Sequence, residues 1–423
     1  MRKWAALFLF LTVGAGAFAQ DLELTLTQFR DEFDPTATGQ SFGGRMDADG
    51  VWAVISAPEN NGLDGSIYVF RFAGGWQFHK RLEDSPVVSN LFRSGFDVAI
   101  SGEWIALSFS TGGVALYRRD QGGVDNWGYY STVAEEDNAS YRDLDNSNTV
   151  AMRNNLLAVG APFADVAPFS SDTNSVGSVL IYELIGNSWS LTQQIDIPDA
   201  ELIPQARFGE SLDIQSGLLA VGSPRYNTDG LGGAGRAWVY QRTGGQFQLV
   251  DTLNSDTPEI NARFGAVALG QGFVAVGSEG GAGDLTPDIS NDGSIYIFEP
   301  ALGGGYDLAD ELVTSEPEFI GLLGRAVAAE GNLVWAAAAD DASYLFRRSV
   351  GGDWTEVDRN EVPVFTDPSN TREYGSSLAL TREGTRIHGI VGDQTAENLD
   401  DTRVGAAFFY VFDDGLFSDS FED

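Results

Sequence analysis

The sequence predicts an all-β fold, a seven-bladed β-propeller of four-stranded blades whose last blade is closed by the N-terminal strand. Three observations predict it. Short β-type runs are separated by clusters of Gly, Asn, Asp and Ser, and helical periodicity is scarce. One unit of about 46 residues, the content of a four-stranded blade, recurs seven times. A lone strand-like segment near the start supplies what the seventh unit lacks.

The clearest unit runs from Phe208 to Leu253. It opens on Phe208-Gly209 and a short strand to Ile214, turns at Ser216-Gly217, and continues as Leu218-Leu219-Ala220-Val221-Gly222-Ser223-Pro224. A polar Gly-rich loop leads to Gly235-Arg236-Ala237-Trp238-Val239-Tyr240, and Phe247–Leu253 ends the unit. Strong copies begin at Phe42-Gly43 and Phe264-Gly265. Worn copies keep Ile105–Ser108 with Gly113–Tyr117, Leu156–Pro162 with Gly177–Tyr182, Leu323-Gly324 with Leu333–Ala336, and Tyr374-Gly375 with Gly405–Phe412. The apolar Val/Leu/Ala runs suit strands buried on both faces.

No fourth segment follows Phe412. Leu22–Phe29 alternates apolar and polar residues as a half-buried edge strand does. Pairing it with the seventh unit closes the ring and removes exposed sheet edges.

The order Phe-Gly, Val-Gly-Ala-Pro, Gly-x-x-Tyr-x-Phe resembles the FG-GAP repeats of integrin α-subunits and their bacterial relatives. Phe42-Gly43, Phe208-Gly209, Phe264-Gly265, Val159-Gly160-Ala161-Pro162 and Val221-Gly222-Ser223-Pro224 carry the likeness over nearly all of the chain after residue 19. The resemblance implies a seven-bladed propeller that binds partners through loops on its faces. In integrin-like repeats an Asp-rich calcium loop often precedes the Val-Gly-Ala-Pro strand. Here that place holds turns such as Asp49-Gly50 and Ser216-Gly217, too short for the six to eight oxygens that calcium takes. No cofactor is expected. The residues left as calcium candidates are Asp47 and Asp49, in the nearest remnant of such a loop, and Asp284, Asp288 and Asp292, in the loop from Glu279 to Asp292.

Composition narrows the function. The chain has 423 residues, with 61 acidic against 25 basic ones and a net charge of -36. Such a field repels nucleic acid and anionic membranes, and favours cations and basic partners. Cys is absent, so thiol chemistry and cysteine lipidation are excluded. The two histidines, His79 and His388, have no credible Ser partner for a nucleophilic arrangement and no zinc-ligand spacing. Gly230-Leu231-Gly232-Gly233-Ala234-Gly235 fits G-x-G-x-x-G but precedes a strand, whereas a dinucleotide site needs it to open a helix.

Residues 1–19 read as a secretory signal: Arg2 and Lys3, an apolar stretch from Trp4 to Ala17, and Ala17-Phe18-Ala19 as the cleavage site. The propeller is assigned to residues 20–412 and an acidic tail to 413–423, a disordered end or a sorting signal. The expected product is a secreted, periplasmic or surface protein without a membrane span, and a monomer. The long loops 163–176, 225–234 and 279–292, with Glu397, Asp400 and Asp401, are the expected binding elements. The leading reading is a non-catalytic binding or adhesion module for a protein or glycan. The alternative is a polysaccharide hydrolase or lyase with carboxylates and arginines at one channel mouth.

Overall fold

The computed structural model describes residues 25–30, 41–58, 65–82, 94–109, 113–134, 149–165, 175–280, 293–315, 322–338, 342–361, 373–396 and 405–413. The expected signal segment lies outside them, as does the expected acidic tail apart from Asp413, which ends the last strand. The described strands form seven four-stranded antiparallel sheets. Six are built from four consecutive strands, and the seventh combines the last three strands with the first. The chain folds as a seven-bladed β-propeller.

Closure follows the expected pairing. Thr25–Arg30 runs antiparallel to Ala406–Asp413, with Thr25 opposite Val411 and Arg30 opposite Ala406. In blades 1 to 6 the third and outermost strands slip by one residue just before an aromatic position, as at Val239/Tyr240 and Ile297/Phe298. The closing strand pairs without such a shift.

The core explains why the central strands lack polar alternation. Seven apolar clusters fill the seven junctions between successive blades. In Leu156–Ala161, Leu157 and Val159 pack towards blade 2, while Leu156 and Ala158 pack towards blade 4. Both faces of the sheet are therefore dry, so an apolar residue suits every position.

The signature glycines meet at these junctions. A Cβ at Gly222 of blade 4 would strike the carbonyl oxygen of Gly265 in blade 5, and one at Gly235 would strike that of Phe264. The same contacts link Gly160 to Gly209, Gly277 to Gly324, and Gly392 to Gly43 across the ring closure. Phe42, Phe208 and Phe264 are fully buried beside them. Phe-Gly, Val-Gly and the Gly of the third strand are thus parts of one close backbone approach between blades.

Each innermost hairpin turns on two residues: 50–51, 102–103, 154–155, 216–217, 271–272, 331–332 and 384–385, the first and last of them one residue later than the expected Asp49-Gly50 and Glu383-Gly384. These turns share one end of the ring with the turns between third and fourth strands, here called the turn face. The loops between second and third strands, and the entries to the innermost strands, share the other end, the loop face. Among the described residues no helix is long and apolar enough to cross a membrane.

Candidate functional site

The innermost strands surround a central channel whose side chains form interblade hydrogen-bond tiers. Asp47 of blade 1 accepts the Ile100 N–H of blade 2 at 2.7 Å, and Asp213 of blade 4 accepts the Leu269 N–H of blade 5 at 2.7 Å. These two acids occupy the same repeat position. One tier towards the loop face, Asp97 accepts the Val150 N–H at 2.8 Å and Ser211 accepts that of Val267 at 3.0 Å. One tier towards the turn face, Asp49 accepts the Gly102 N–H at 2.6 Å, Ser101 that of Asn154 at 3.0 Å, and Thr381 of blade 7 that of Gly50 at 2.8 Å. In every case the side chain belongs to one blade and the amide to the next.

The sequence-derived calcium candidates therefore divide. Asp47 and Asp49 lie in the innermost strand of blade 1, where their carboxylates tie blade 1 to blade 2. Asp47 also accepts the N–H of Ala48 at 2.8 Å. Asp284, Asp288 and Asp292 lie outside the described residues, as do Glu397, Asp400 and Asp401. Among the described residues no group of three or more His, Asp or Glu side chains is placed to hold a metal ion.

Burial dominates the channel acids although each keeps some surface towards the lumen. It pushes Asp47 up to about 7, against the two N–H bonds and with help from Asp49 and Asp213. It pushes Asp97 and Asp213 up to about 6, against Arg45 and Arg153 respectively as well as the amide donors. Glu330, two-residue turn 331–332 beside it, is also raised by burial, and the charges of Arg153 and Arg382 oppose the shift. The carboxyls of Glu330 and Asp49 and the guanidiniums of Arg153 and Arg382 thus lie within electrostatic reach of one another at the turn-face mouth.

Both histidines serve packing. The His79 ring meets Trp52 edge-on at 4.9 Å and its Nε2 lies 2.7 Å from the Asp125 carbonyl. His388 is fully buried between Phe72 and Trp76, neither ring nitrogen has a hydrogen-bond partner, and burial holds it down at about 4.

A second concavity lies on the loop face between blades 4 and 5. Its volume is about 230 Å³, and it is lined by Arg207, Arg225 and Arg263 with the amides of Gln205, Asn227 and Asn261. Among the described residues no carboxylate lines it. Arg207 lies over the Phe163 ring, 4.6 Å from its centroid, and 4.0 Å from Glu210. Arg225 meets the same Glu210 oxygen at 3.3 Å, and Arg263 pairs with Glu279. Burial and the neighbouring Arg225 charge push Arg207 down, partly offset by Glu210.

The backbone makes this cavity rigid. The loop from Arg225 to Ala234 docks along the entry to blade 5: Asn261, Arg263 and Phe264 donate to the carbonyls of Gly232, Gly233 and Ala234 at 2.9–3.0 Å. Asn227 Oδ1 accepts the Gly233 N–H at 3.0 Å. Below, Tyr226 donates to the Glu201 carbonyl at 2.7 Å, and the Glu201 carboxylate accepts the Trp238 indole N–H at 2.7 Å. The G-x-G-x-x-G stretch is thus a docked loop that leads into strand Arg236–Thr243. Gln205, Arg207, Asn261 and Arg263 all hold left-handed backbone, with φ of 61°, 55°, 61° and 53°. Ser41 and Leu322, at the same repeat position as Arg207 and Arg263, hold it too, with φ of 50° and 44°, so the conformation belongs to the entry of the blade.

Sequence reasoning named only the loop that begins at Arg225. It missed Arg207 and Arg263, which precede Phe-Gly in successive repeats. The signal was there as Ala206-Arg207-Phe208-Gly209 followed by Ala262-Arg263-Phe264-Gly265.

Comparison with known proteins supports the architecture. The fold is shared with other propellers. The structure is similar to a putative 6-phosphogluconolactonase from Bacteroides fragilis, with a TM-score of 0.50 and 12% identity, over 76% of this chain and 84% of that one. It is also similar to a chain of a mitotic checkpoint complex, with a TM-score of 0.55 and 12% identity, over 97% of this chain and 98% of that one. At that identity the likeness is one of fold alone. No protein-family model matches the sequence.

Proposed function

We propose that the chain is an exported, monomeric, non-catalytic binding or adhesion propeller of the FG-GAP type, which recognises a protein or glycan through its loop face. The observation that carries this reading is the arginine-lined cavity on that face, built from two neighbouring blades and held by backbone bonds. Sites that bind rather than transform need shape, donors and rigidity. The FG-GAP motifs are accounted for by the close approach of blades, without any chemistry. Residues 1–19 would direct export.

Binding of the purified protein to glycan and protein arrays, with and without calcium, tests the reading. Selective retention of one ligand class supports it. Turnover of a polysaccharide would sink it.

A second reading draws on the turn-face mouth, where Glu330 lies within the influence of Arg153 and Arg382. A polysaccharide hydrolase or lyase would use that carboxyl and those guanidiniums. Activity lost in Glu330→Gln would establish this alternative.

A further inference from the structure

We propose that the Arg207–Arg225–Arg263 cavity binds the oxyanion of an acidic sugar residue, a uronate carboxylate or a sulfate ester, within a polysaccharide. This inference rests on the binding reading above and names the chemistry of its ligand.

Charge makes the first argument. Acidic residues outnumber basic ones by 61 to 25, yet among the described residues the charged groups lining this cavity are three guanidiniums and no carboxylate. Among the described residues the two acids paired with these arginines, Glu210 and Glu279, stand outside the lining and leave the group one positive charge in excess. Among the described residues the Arg207 guanidinium makes no side-chain hydrogen bond, and its one ion pair is at 4.0 Å. Its donors remain for a ligand. Guanidinium forks match carboxylate and sulfate oxygens two at a time.

The remaining lining selects the carrier of that anion. Gln205, Asn227 and Asn261 supply amide donors and acceptors suited to sugar hydroxyls. Pro224 is the only apolar side chain in the lining among the described residues, so an acidic peptide would find there no pocket for the buried anchors on which peptide affinity depends. The volume, about 230 Å³, lies below that of sites for drug-sized molecules and suits one ring of a longer chain. The loop is already docked, so little ordering opposes binding.

The test follows the Nε–H resonances of arginine by NMR at constant ionic strength, with sodium galacturonate, sodium sulfate and neutral galactose as probes. The proposal expects saturable shifts at Arg207, Arg225 and Arg263 with at least one of the two anions and none with galactose. The R225Q/R263Q variant, with an unchanged thermal midpoint, should bind about tenfold or more weakly. Titration with oligogalacturonate and with a sulfated oligosaccharide then distinguishes the two anion sources. Absence of shifts with both anions overturns the proposal, as does equal binding by the double variant or tighter binding of polyglutamate than of either saccharide. Array ligands retained unchanged by R225Q/R263Q would remove this site while the binding reading stands. Cleavage of the saccharide would remove the binding reading itself.

Discussion

The carboxylate of Asp213 in blade 4 accepts the backbone N–H of Leu269 in blade 5 at 2.7 Å, and it is held in place by the Ile214 N–H on its other oxygen, also at 2.7 Å. Asp47 repeats this arrangement towards Ile100. Innermost strands of neighbouring blades diverge and cannot pair as a sheet, so a side chain spans the gap.

Removing that span leaves the Leu269 amide without its acceptor. Asp213→Ala is expected to destabilise the protein by about 1–2 kcal/mol, because an unmade bond at a buried donor costs its desolvation. Asp213→Asn, which keeps an acceptor oxygen, should cost less. Guanidinium unfolding at pH 5 measures both; equal midpoints for wild type and the alanine variant would refute the role.

The channel acids make stability depend on pH with an unusual sign. Asp47 titrates near 7 and Asp97 and Asp213 near 6 in the folded chain, all above the ordinary carboxylate range. The folded state therefore holds more protons than the unfolded state between about pH 4 and 7. Their contribution is full below that window and declines as pH rises through it. His388, held down at about 4, acts oppositely: the unfolded state takes up its proton first, so its contribution declines as pH falls from 6.5. Three carboxyls outweigh one imidazole, and relief of the net charge of -36 acts in the same direction. The thermal midpoint should be higher at pH 5 than at pH 8, and Asp47→Asn should flatten the difference.

The glycine contacts predict a strong positional effect. Gly222→Ala drives a methyl group into the Gly265 carbonyl, where backbone on both sides cannot yield locally. A loss of about 2 kcal/mol or more is expected, in line with overpacking at a tight junction. Gly303→Ala, in a turn with nothing within 4 Å of the added carbon, should change stability by less than about 0.5 kcal/mol. Chemical denaturation of the pair separates contact from general glycine loss.

Closure by the first strand is testable by truncation. Deleting residues 1–30 leaves Ala406–Asp413 as an unpaired edge. Such an edge invites pairing with another chain. Size-exclusion chromatography should show oligomers, and calorimetry a lower unfolding temperature; a monomer of unchanged stability would show that the ring does not depend on this strand.

The blades, their number and their closure were legible in the sequence because each rests on a local pattern repeated seven times. Phe208-Gly209 and Val221-Gly222 are visible as motifs, and their burial follows from composition. The candidate site was only partly legible. Arg225 was visible at the head of a long loop, but nothing local links it to Arg207, which enters the same blade earlier, or to Arg263, which enters the next. Asp47 and Asp49 were legible as carboxylates near a turn, but not as acceptors for the Ile100 and Gly102 amides of the next blade, which lie 53 positions away.

By itself the sequence determined the repeat, the strand lengths, the two-residue inner turns and the strongly acidic balance, since these depend on residues close together along the chain. Only the tertiary structure decided which side chain of one blade meets which backbone of the next, and which arginines share a cavity. Those relations link residues more than fifty positions apart, as in Asp213 with Leu269 and Arg207 with Arg263. The distance between such groups is set by the angle at which apolar blade faces pack, a property of the closed ring and of no single repeat.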